Sequence, residues 1–139
     1  LEVSSVFVYD QLHTASDRQP TTSLGILEQN QPRLAAAIRV MEKSIDSPMT
    51  TAAIARRVGI SQKTLENLFR RSLKVTPGAY YLDLRLQLAR KLVIDTRLGI
   101  QEIAIRTGFG SQSAFSRGFR NAFGHSPLQL RQRTNQSDY

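Results

Sequence analysis

A short pattern that occurs twice constrains this chain more than any other feature of its sequence. Each copy begins with an Ile-Ala pair, which is followed by a glycine and then by two apolar residues four positions apart. An arginine comes directly after the second apolar residue, and a Ser/Thr-Pro pair ends the copy. The copies lie 49 residues apart up to the glycine and 50 residues apart after it. The matched positions are Ile54-Ala55 and Ile103-Ala104, Gly59 and Gly108, Leu65 and Phe115, Phe69 and Phe119, Arg70 and Arg120, and Thr76-Pro77 and Ser126-Pro127. Such a repeat predicts a fold built from two similar units.

Each copy predicts a helix-turn-helix. The glycine permits a turn conformation that is costly for other residues, and the small alanine lets the second helix approach the first closely. In the second copy Phe115, Phe119 and Phe123 recur every four residues and predict a buried stripe. The polar residues between them then face outward, so we expect the apolar side to anchor a helix whose other side contacts a partner.

Helical spacing continues through most of the chain, and the sequence predicts an all-α fold of about seven helices. We expect two helix-turn-helix subdomains, a homeodomain-like pair, joined by a long linker helix that begins at Thr76-Pro77. The predicted segments are a linker or tail over 1–31, a DNA-binding-type domain over 32–133, and a frayed tail over 134–139. Within that domain they are a first helix-turn-helix at about 32–75, a linker helix at about 77–96 and a second helix-turn-helix at about 100–133.

The length of the linker helix suits a spacer on DNA. About 20 residues at about 1.5 Å each span about 30 Å, and one turn of B-DNA is about 34 Å. A helix of that length can hold two recognition helices in successive major grooves on one DNA face. Because the two copies differ, we expect an asymmetric target sequence.

Basic charge is concentrated in the repeated region. The whole chain carries a formal net charge of +8, whereas residues 50–133 contain 15 Lys and Arg against 4 Asp and Glu, a net +11. This is the electrostatic footprint of a protein that binds a polyanion, either nucleic acid or an acidic membrane surface. The alternative is a basic surface that serves only solubility.

Several classes of protein are disfavoured by what the sequence lacks. It contains no cysteine, and its two histidines, His13 and His125, lack ligand spacing, so we predict no metal site and no cofactor. It has no long apolar run for a membrane span and no visible signal peptide. The chain begins with Leu1 and not with Met, and we therefore expect it to be a piece of a longer protein.

Three other functions compete with duplex DNA binding. An enzyme is disfavoured because no Ser/His/Asp or Cys/His set and no phosphate-cradling loop is present. RNA binding is disfavoured because the phenylalanines fall at core spacing and not at the exposed positions that stack unpaired bases. A helical protein-interaction module stays open as the main alternative, and sharp DNA sequence preference would exclude it.

Residues from about Arg33 to Arg133 resemble the C-terminal DNA-binding domain of the AraC/XylS family of bacterial transcription regulators. The resemblance is carried by GFGSQSAFSRGFRNAFGHSP in the second copy and by IARRVGISQKTLENLFRRSLKVTPGAYY in the first. Arg85, Ala89 and Leu92 fit the family's connecting helix, while Lys74 stands where glycine is usual and Gly110 where a polar residue is usual.

The resemblance implies a cytoplasmic bacterial activator that binds double-stranded DNA and contacts RNA polymerase, associated with the nucleoid when bound. The segment VSSVFVYDQLHTASDRQP is similar to the stretch that follows a DJ-1/PfpI amidotransferase-like sensor domain in one subgroup. It implies control and dimerisation through such a preceding domain. The effector and the operator are not indicated, and the residues themselves, apart from the resemblance, do not distinguish activation from repression.

The family pattern also implies which side chains meet DNA. Base edges are assigned to the first turns of both second helices: Gln62, Lys63, Glu66, Asn67, Gln112, Ser113, Ser116 and Arg117. Glu66 has an alternative role, because its carboxylate can pair with Arg70 one turn on. Phosphates are assigned to four arginines and three helix N-termini: Arg57, Arg70, Arg106, Arg120, Ser61, Ser111 and Ser126. Arg131 and Arg133 have no assigned role.

Overall fold

The computed structural model describes residues 24–26 and 29–137, and all regular structure within them is helical. This confirms the predicted all-α fold with two helix-turn-helix subdomains. The predicted segment 1–31 lies largely outside the described residues, as do positions 138–139 of the predicted tail. Residues 24–26 and 29–30 are helical. The helices that follow are α1 (Pro32–Lys43), α2 (Thr51–Val58), α3 (Gln62–Leu73), α4 (Pro77–Asp95), α5 (Ile100–Arg106), α6 (Gln112–Phe123) and α7 (Pro127–Ser137).

Helix boundaries follow from capping residues. Thr50, Ser61 and Ser111 each accept a hydrogen bond from the backbone N–H three residues ahead, at 3.1 Å in every case. Such caps satisfy one of the four N–H groups that a helix start leaves unpaired. Helix α2 ends at Gly59 and helix α6 at Gly124, both in the left-handed conformation with φ of 82°. Helix α7 continues through Ser137, four residues past its predicted end.

The described residues divide into two compact units. Unit 1 contains the residues up to Ser44 and Met49–Leu82, and unit 2 contains Ile45–Pro48 and the residues from Asp83 onward. The Ile-Ala pairs of the repeat and the apolar pairs of the second helices are buried in both units. Fully buried core residues are Leu34, Ala37, Met41, Ile54, Leu65 and Phe69 in unit 1, and Ala89, Val93, Ile103, Phe115 and Phe119 in unit 2.

The repeat extends further back than the sequence pattern that first identified it. Leu34, Ala37 and Met41 of α1 match Leu86, Ala89 and Val93 of α4 at a constant spacing of 52 residues, and all six are buried. The second half of α4 is therefore the first helix of the second copy. The main part of unit 2 accordingly begins at Asp83, inside the helix that was expected to serve only as a connector.

In each copy one side chain forms hydrogen bonds with the backbone at the end of the first helix. In unit 1 the Tyr81 hydroxyl lies 2.6 Å from the Ser44 carbonyl oxygen, to which it donates, and accepts from the Met49 N–H at 3.1 Å. Fifty residues on, Arg131 occupies the matching position in unit 2 and donates to the carbonyl oxygens of Val93, Thr96 and Leu98. Both side chains therefore satisfy carbonyl groups that a helix end leaves unpaired.

Candidate nucleic-acid interface

The second helix of each unit has one buried and one exposed side. In α3 Leu65 and Phe69 are fully buried, and in α6 the matching Phe115 and Phe119 are fully buried. The rings of Phe115 and Phe119 meet edge to face with centroids 5.7 Å apart, and Phe119 meets Phe123 at 4.7 Å. Aromatic pairs of this geometry add to the stability gained from burial alone. Each helix is thus held firmly by one side while its polar side remains accessible.

The eight residues assigned to base reading all lie on these two helices. Five side chains are exposed and three are half-buried. The exposed ones are Gln62, Lys63, Gln112, Ser113 and Arg117, and the half-buried ones are Glu66, Asn67 and Ser116. The helix starts therefore present polar side chains to solvent. One turn further on three of the four assigned residues are half-buried, and Arg117 is exposed.

Glu66 has a different neighbour from the one that its spacing suggests. Its carboxylate accepts a hydrogen bond from the Gln62 amide at 3.4 Å, and among the described residues no ion pair joins it to Arg70. A neutral amide partner leaves the negative charge of Glu66 uncompensated by a cation. The carboxylate is thus available to accept a hydrogen bond from a base amino group.

The four arginines assigned to phosphate are all exposed, but they are not equivalent. Arg57 lies in the last turn of α2, and Arg70 and Arg120 lie in the last turns of α3 and α6. Arg106 forms an ion pair with Glu102 at 2.9 Å, in which both side chains are about half exposed. Exposed pairs contribute about 0–1 kcal/mol. A phosphate can therefore compete for Arg106, at a small cost that the other three arginines do not have.

The three serines assigned to phosphate act as helix caps. The Ser61 and Ser111 hydroxyls accept from the N–H groups of Thr64 and Ala114. Ser126 and Gln129 are bonded reciprocally, since the Ser126 hydroxyl accepts from the Gln129 N–H at 3.1 Å and the Ser126 N–H donates to the Gln129 amide oxygen at 2.8 Å. This capping box occupies the Ser126 N–H, which leaves α7 less able than α3 or α6 to donate to an anion at its first residue.

The comparisons with known proteins agree with this geometry. The pattern of a family described as a helix-turn-helix domain matches residues 54–133. The HTH-type transcriptional regulator ArgR of Pseudomonas aeruginosa is 36% identical over 129 residues, which cover 93% of this chain and 39% of that protein. The chain belongs to the AraC-type helix-turn-helix family. The chain spans only 35–39% of the length of the first four curated relatives, although each match covers 93–94% of this chain.

Solved AraC-type structures share the fold. A transcriptional regulator from Chromobacterium violaceum, described as containing an AraC-type DNA-binding domain, superposes with a TM-score of 0.72. It is 40% identical, and the match covers 78% of this chain and 96% of that one. The DNA-binding domain of AdpA, solved in complex with a target DNA, gives a TM-score of 0.71 at 24% identity over 75% of this chain and 94% of that one. At that identity the second likeness shows the fold alone.

Three features are absent from the described part of this AraC-type chain: a membrane-spanning helix, a metal-type cluster and an exposed aromatic side chain. Its helices include none that is both long and apolar enough to cross a membrane. Likewise, residues 24–26 and 29–137 hold no group of three or more His, Asp or Glu side chains arranged for a metal ion. The aromatic side chains in this part are buried or half-buried.

Sequence reasoning missed two side chains that hold unit 2 together. Arg131 had no assigned role and Arg85 was placed only in the connecting helix, yet both bind backbone carbonyls of unit 2. The signal that could have found them is the constant register: Arg131 matches Tyr81 at 50 residues, and Arg85 matches Arg33 at 52. The loop after the first helix is three residues shorter in the second copy. The 52-residue match of the first helices is therefore missed when the sequence is compared with itself at a spacing of 49 or 50 residues.

Proposed function

We propose that this AraC-type chain is the sequence-specific DNA-binding part of a bacterial transcription regulator, and that it acts by binding and not by catalysis. The observation that carries the proposal is the paired second helix. Both α3 and α6 are anchored by fully buried apolar residues and both begin with exposed polar or cationic side chains. One such helix is common in α-helical proteins, but two in a region of net charge +11 favour a polyanion with a repeating groove.

In this proposal each unit inserts its second helix into a major groove. Gln62, Lys63, Glu66 and Asn67 read one half of an asymmetric site, and Gln112, Ser113, Ser116 and Arg117 read the other. The connecting helix α4 has 19 residues and contributes to both units. The exposed arginines Arg57, Arg70 and Arg120 then meet phosphates, as does Arg106 after release from Glu102.

Activation, contact with RNA polymerase, a cytoplasmic location, and control and dimerisation through a sensor domain stay predictions from the family resemblance. They concern the whole regulator, whereas the paired helices concern this chain.

The first test is selection from a random-sequence DNA pool by the whole chain. We expect one asymmetric duplex sequence to be enriched, and its affinity to fall steeply with rising salt because counterions are released from the phosphates. An affinity that hardly responds to salt would contradict the phosphate contacts. Enrichment of no sequence would favour a protein-interaction module, and preferential capture of single-stranded RNA in a competition would favour RNA binding.

The second test replaces Arg117. Arg117→Ala should lose about 1–3 kcal/mol of binding free energy on the selected duplex and almost nothing on random DNA, because a guanine contact is lost. Lys91→Ala is the matched control, since it removes one charge from an exposed position of α4 that has no assigned role. Fluorescence anisotropy on both duplexes measures the difference. An equal loss on random DNA would contradict base reading by Arg117.

A further inference from the structure

Arg85 joins the connecting helix to the turn of the second helix-turn-helix. Its Nε donates to the Thr107 carbonyl oxygen at 2.8 Å and its Nη2 donates to the Gly108 carbonyl oxygen at 2.9 Å. The guanidinium carbon also lies 4.3 Å from the centre of the Phe109 ring. One side chain therefore contacts three consecutive residues of this turn, by two charge-assisted hydrogen bonds and a cation–π contact.

The turn is coupled in its own right to the proposed recognition helix α6. The Phe109 ring packs against Phe115 with centroids 5.2 Å apart. The same ring lies beside Gly118, where a Cβ atom would be 3.7 Å from Phe109 Cε1. Phe115 and Gly118 flank Ser116 and Arg117, two of the proposed base readers. A shift of Phe109 would therefore move the part of α6 that carries these readers.

The first copy contains the same contact in a weaker form. Arg33 of α1 matches Arg85 in the 52-residue register and donates to the carbonyl oxygen of Gly59, the counterpart of Gly108. This single bond is 3.3 Å long and exposed, whereas the two Arg85 bonds are shorter and partly buried. Exposure to water weakens a hydrogen bond of this kind, so Arg33 fixes its turn less firmly.

We propose that Arg85 is a positioning residue for DNA recognition: it sets the orientation of α6 through the Thr107–Phe109 turn, and Arg33 does the same more weakly for α3. This inference rests on the proposed function, because it concerns how well the base readers are aimed. Neither arginine needs to touch DNA.

The test uses Arg85→Lys in the whole chain, on the duplex selected from the random pool. Lysine keeps the charge, so attraction to phosphate is unchanged, but it lacks the planar fork that reaches two carbonyls. We expect about a tenfold loss of affinity for the selected duplex, and almost none for random DNA. Arg33→Lys is the matched control and should lose about threefold or less.

Double substitutions distinguish positioning from general support of the fold. In an Arg117→Ala background the Arg85→Lys loss should become smaller, because one of the two readers flanked by Phe115 and Gly118 is gone. In a Gln62→Ala background, on the other helix, the loss should persist in full. Equal losses in both backgrounds would overturn the proposal.

Two further measurements keep the outcomes separate. Circular dichroism establishes that each variant is folded at the assay temperature. If Arg85→Lys does not fold, Phe109→Leu replaces it, since this change removes the ring that links the turn to α6 and should show the same coupling to Arg117→Ala. If no duplex is enriched by the unsubstituted chain, the proposed function fails and this inference fails with it. An enriched duplex without coupling overturns the inference alone.

Discussion

The two units follow one plan but secure it with different side chains. Both have an Ile-Ala helix, a left-handed glycine turn, a capped second helix and a side chain that binds the end of the first helix. In unit 1 the last role falls to a tyrosine hydroxyl, and in unit 2 to an arginine that donates to three carbonyls. The two copies thus share their backbone geometry, while different side chains, a tyrosine and an arginine, stabilise it.

The turns differ most in how closely they are surrounded. Gly59 and Gly108 share a φ near 80°, but a Cβ atom on Gly59 would meet nothing within 4 Å. On Gly108 it would lie 2.5 Å from the Ile45 carbonyl oxygen and 2.5 Å from Pro48 Cγ. Together with the Arg85 bonds, this makes the second turn the more constrained of the two. Matched substitutions at equivalent positions of the two units should therefore differ in their effects.

The largest difference is expected for the turn glycines. Gly59→Ala should destabilise the chain by about 1 kcal/mol, the cost of a left-handed conformation for alanine. Gly108→Ala should cost about 3–4 kcal/mol, because the new methyl group also collides with the segment from Ile45 to Pro48. Urea unfolding followed by circular dichroism measures both. Equal losses of unfolding free energy would contradict the prediction, because they would mean that residues 45–48 move aside without an energetic cost.

A smaller difference is expected for the side chains that close the first helices. Arg131→Met should lose about 2–3 kcal/mol of stability, because carbonyl groups of Val93, Thr96 and Leu98 lose a charged donor. Tyr81→Phe should lose about 1–2 kcal/mol, because it removes one hydroxyl that serves Ser44 and Met49. Thermal unfolding of the two variants side by side is the measurement. A larger loss of stability in Tyr81→Phe than in Arg131→Met would contradict the prediction.

The smallest expected effect concerns the residue after the second helix. Lys74 has φ of 62°, and its counterpart Gly124 has φ of 82°, where an added Cβ atom would meet nothing within 4 Å. Lys74→Gly should therefore stabilise unit 1 by about 0.5–1 kcal/mol, and Gly124→Lys should destabilise unit 2 by a similar amount. Unfolding midpoints of both variants give the answer. If Lys74→Gly is destabilising, its side chain contributes more than its backbone conformation costs.

Local patterns made much of the fold predictable. The Ile-Ala pairs, the glycine turns and the apolar spacing of Leu65, Phe69, Phe115 and Phe119 each act within one or two turns of helix, so the sequence reveals them directly. The fold class and the helix-turn-helix pair follow from these residues.

The remaining contacts depend on residues far apart in the chain. Arg131 binds carbonyls more than thirty positions earlier, and Arg85 binds carbonyls more than twenty positions later. A long flexible side chain can reach many partners, and spacing alone does not select one. The same freedom explains why spacing suggested Arg70 as the partner of Glu66 where the structure has Gln62, and why it did not reveal that Glu102 binds Arg106. The DNA roles of the assigned residues stay predictions.

Helix α4 belongs to both halves of the chain, and this limits how the chain can be cut. Tyr81 completes the first half, whereas Leu86, Ala89 and Val93 are core residues of the second. A fragment ending at Asp95 would keep every helix of the first half. A fragment starting at Pro77 would forfeit Ile45–Pro48, which belongs to the second half although it precedes α2. A single continuous fragment can therefore contain all the helices of the first half. No continuous fragment that starts at Pro77 contains every segment of the second half.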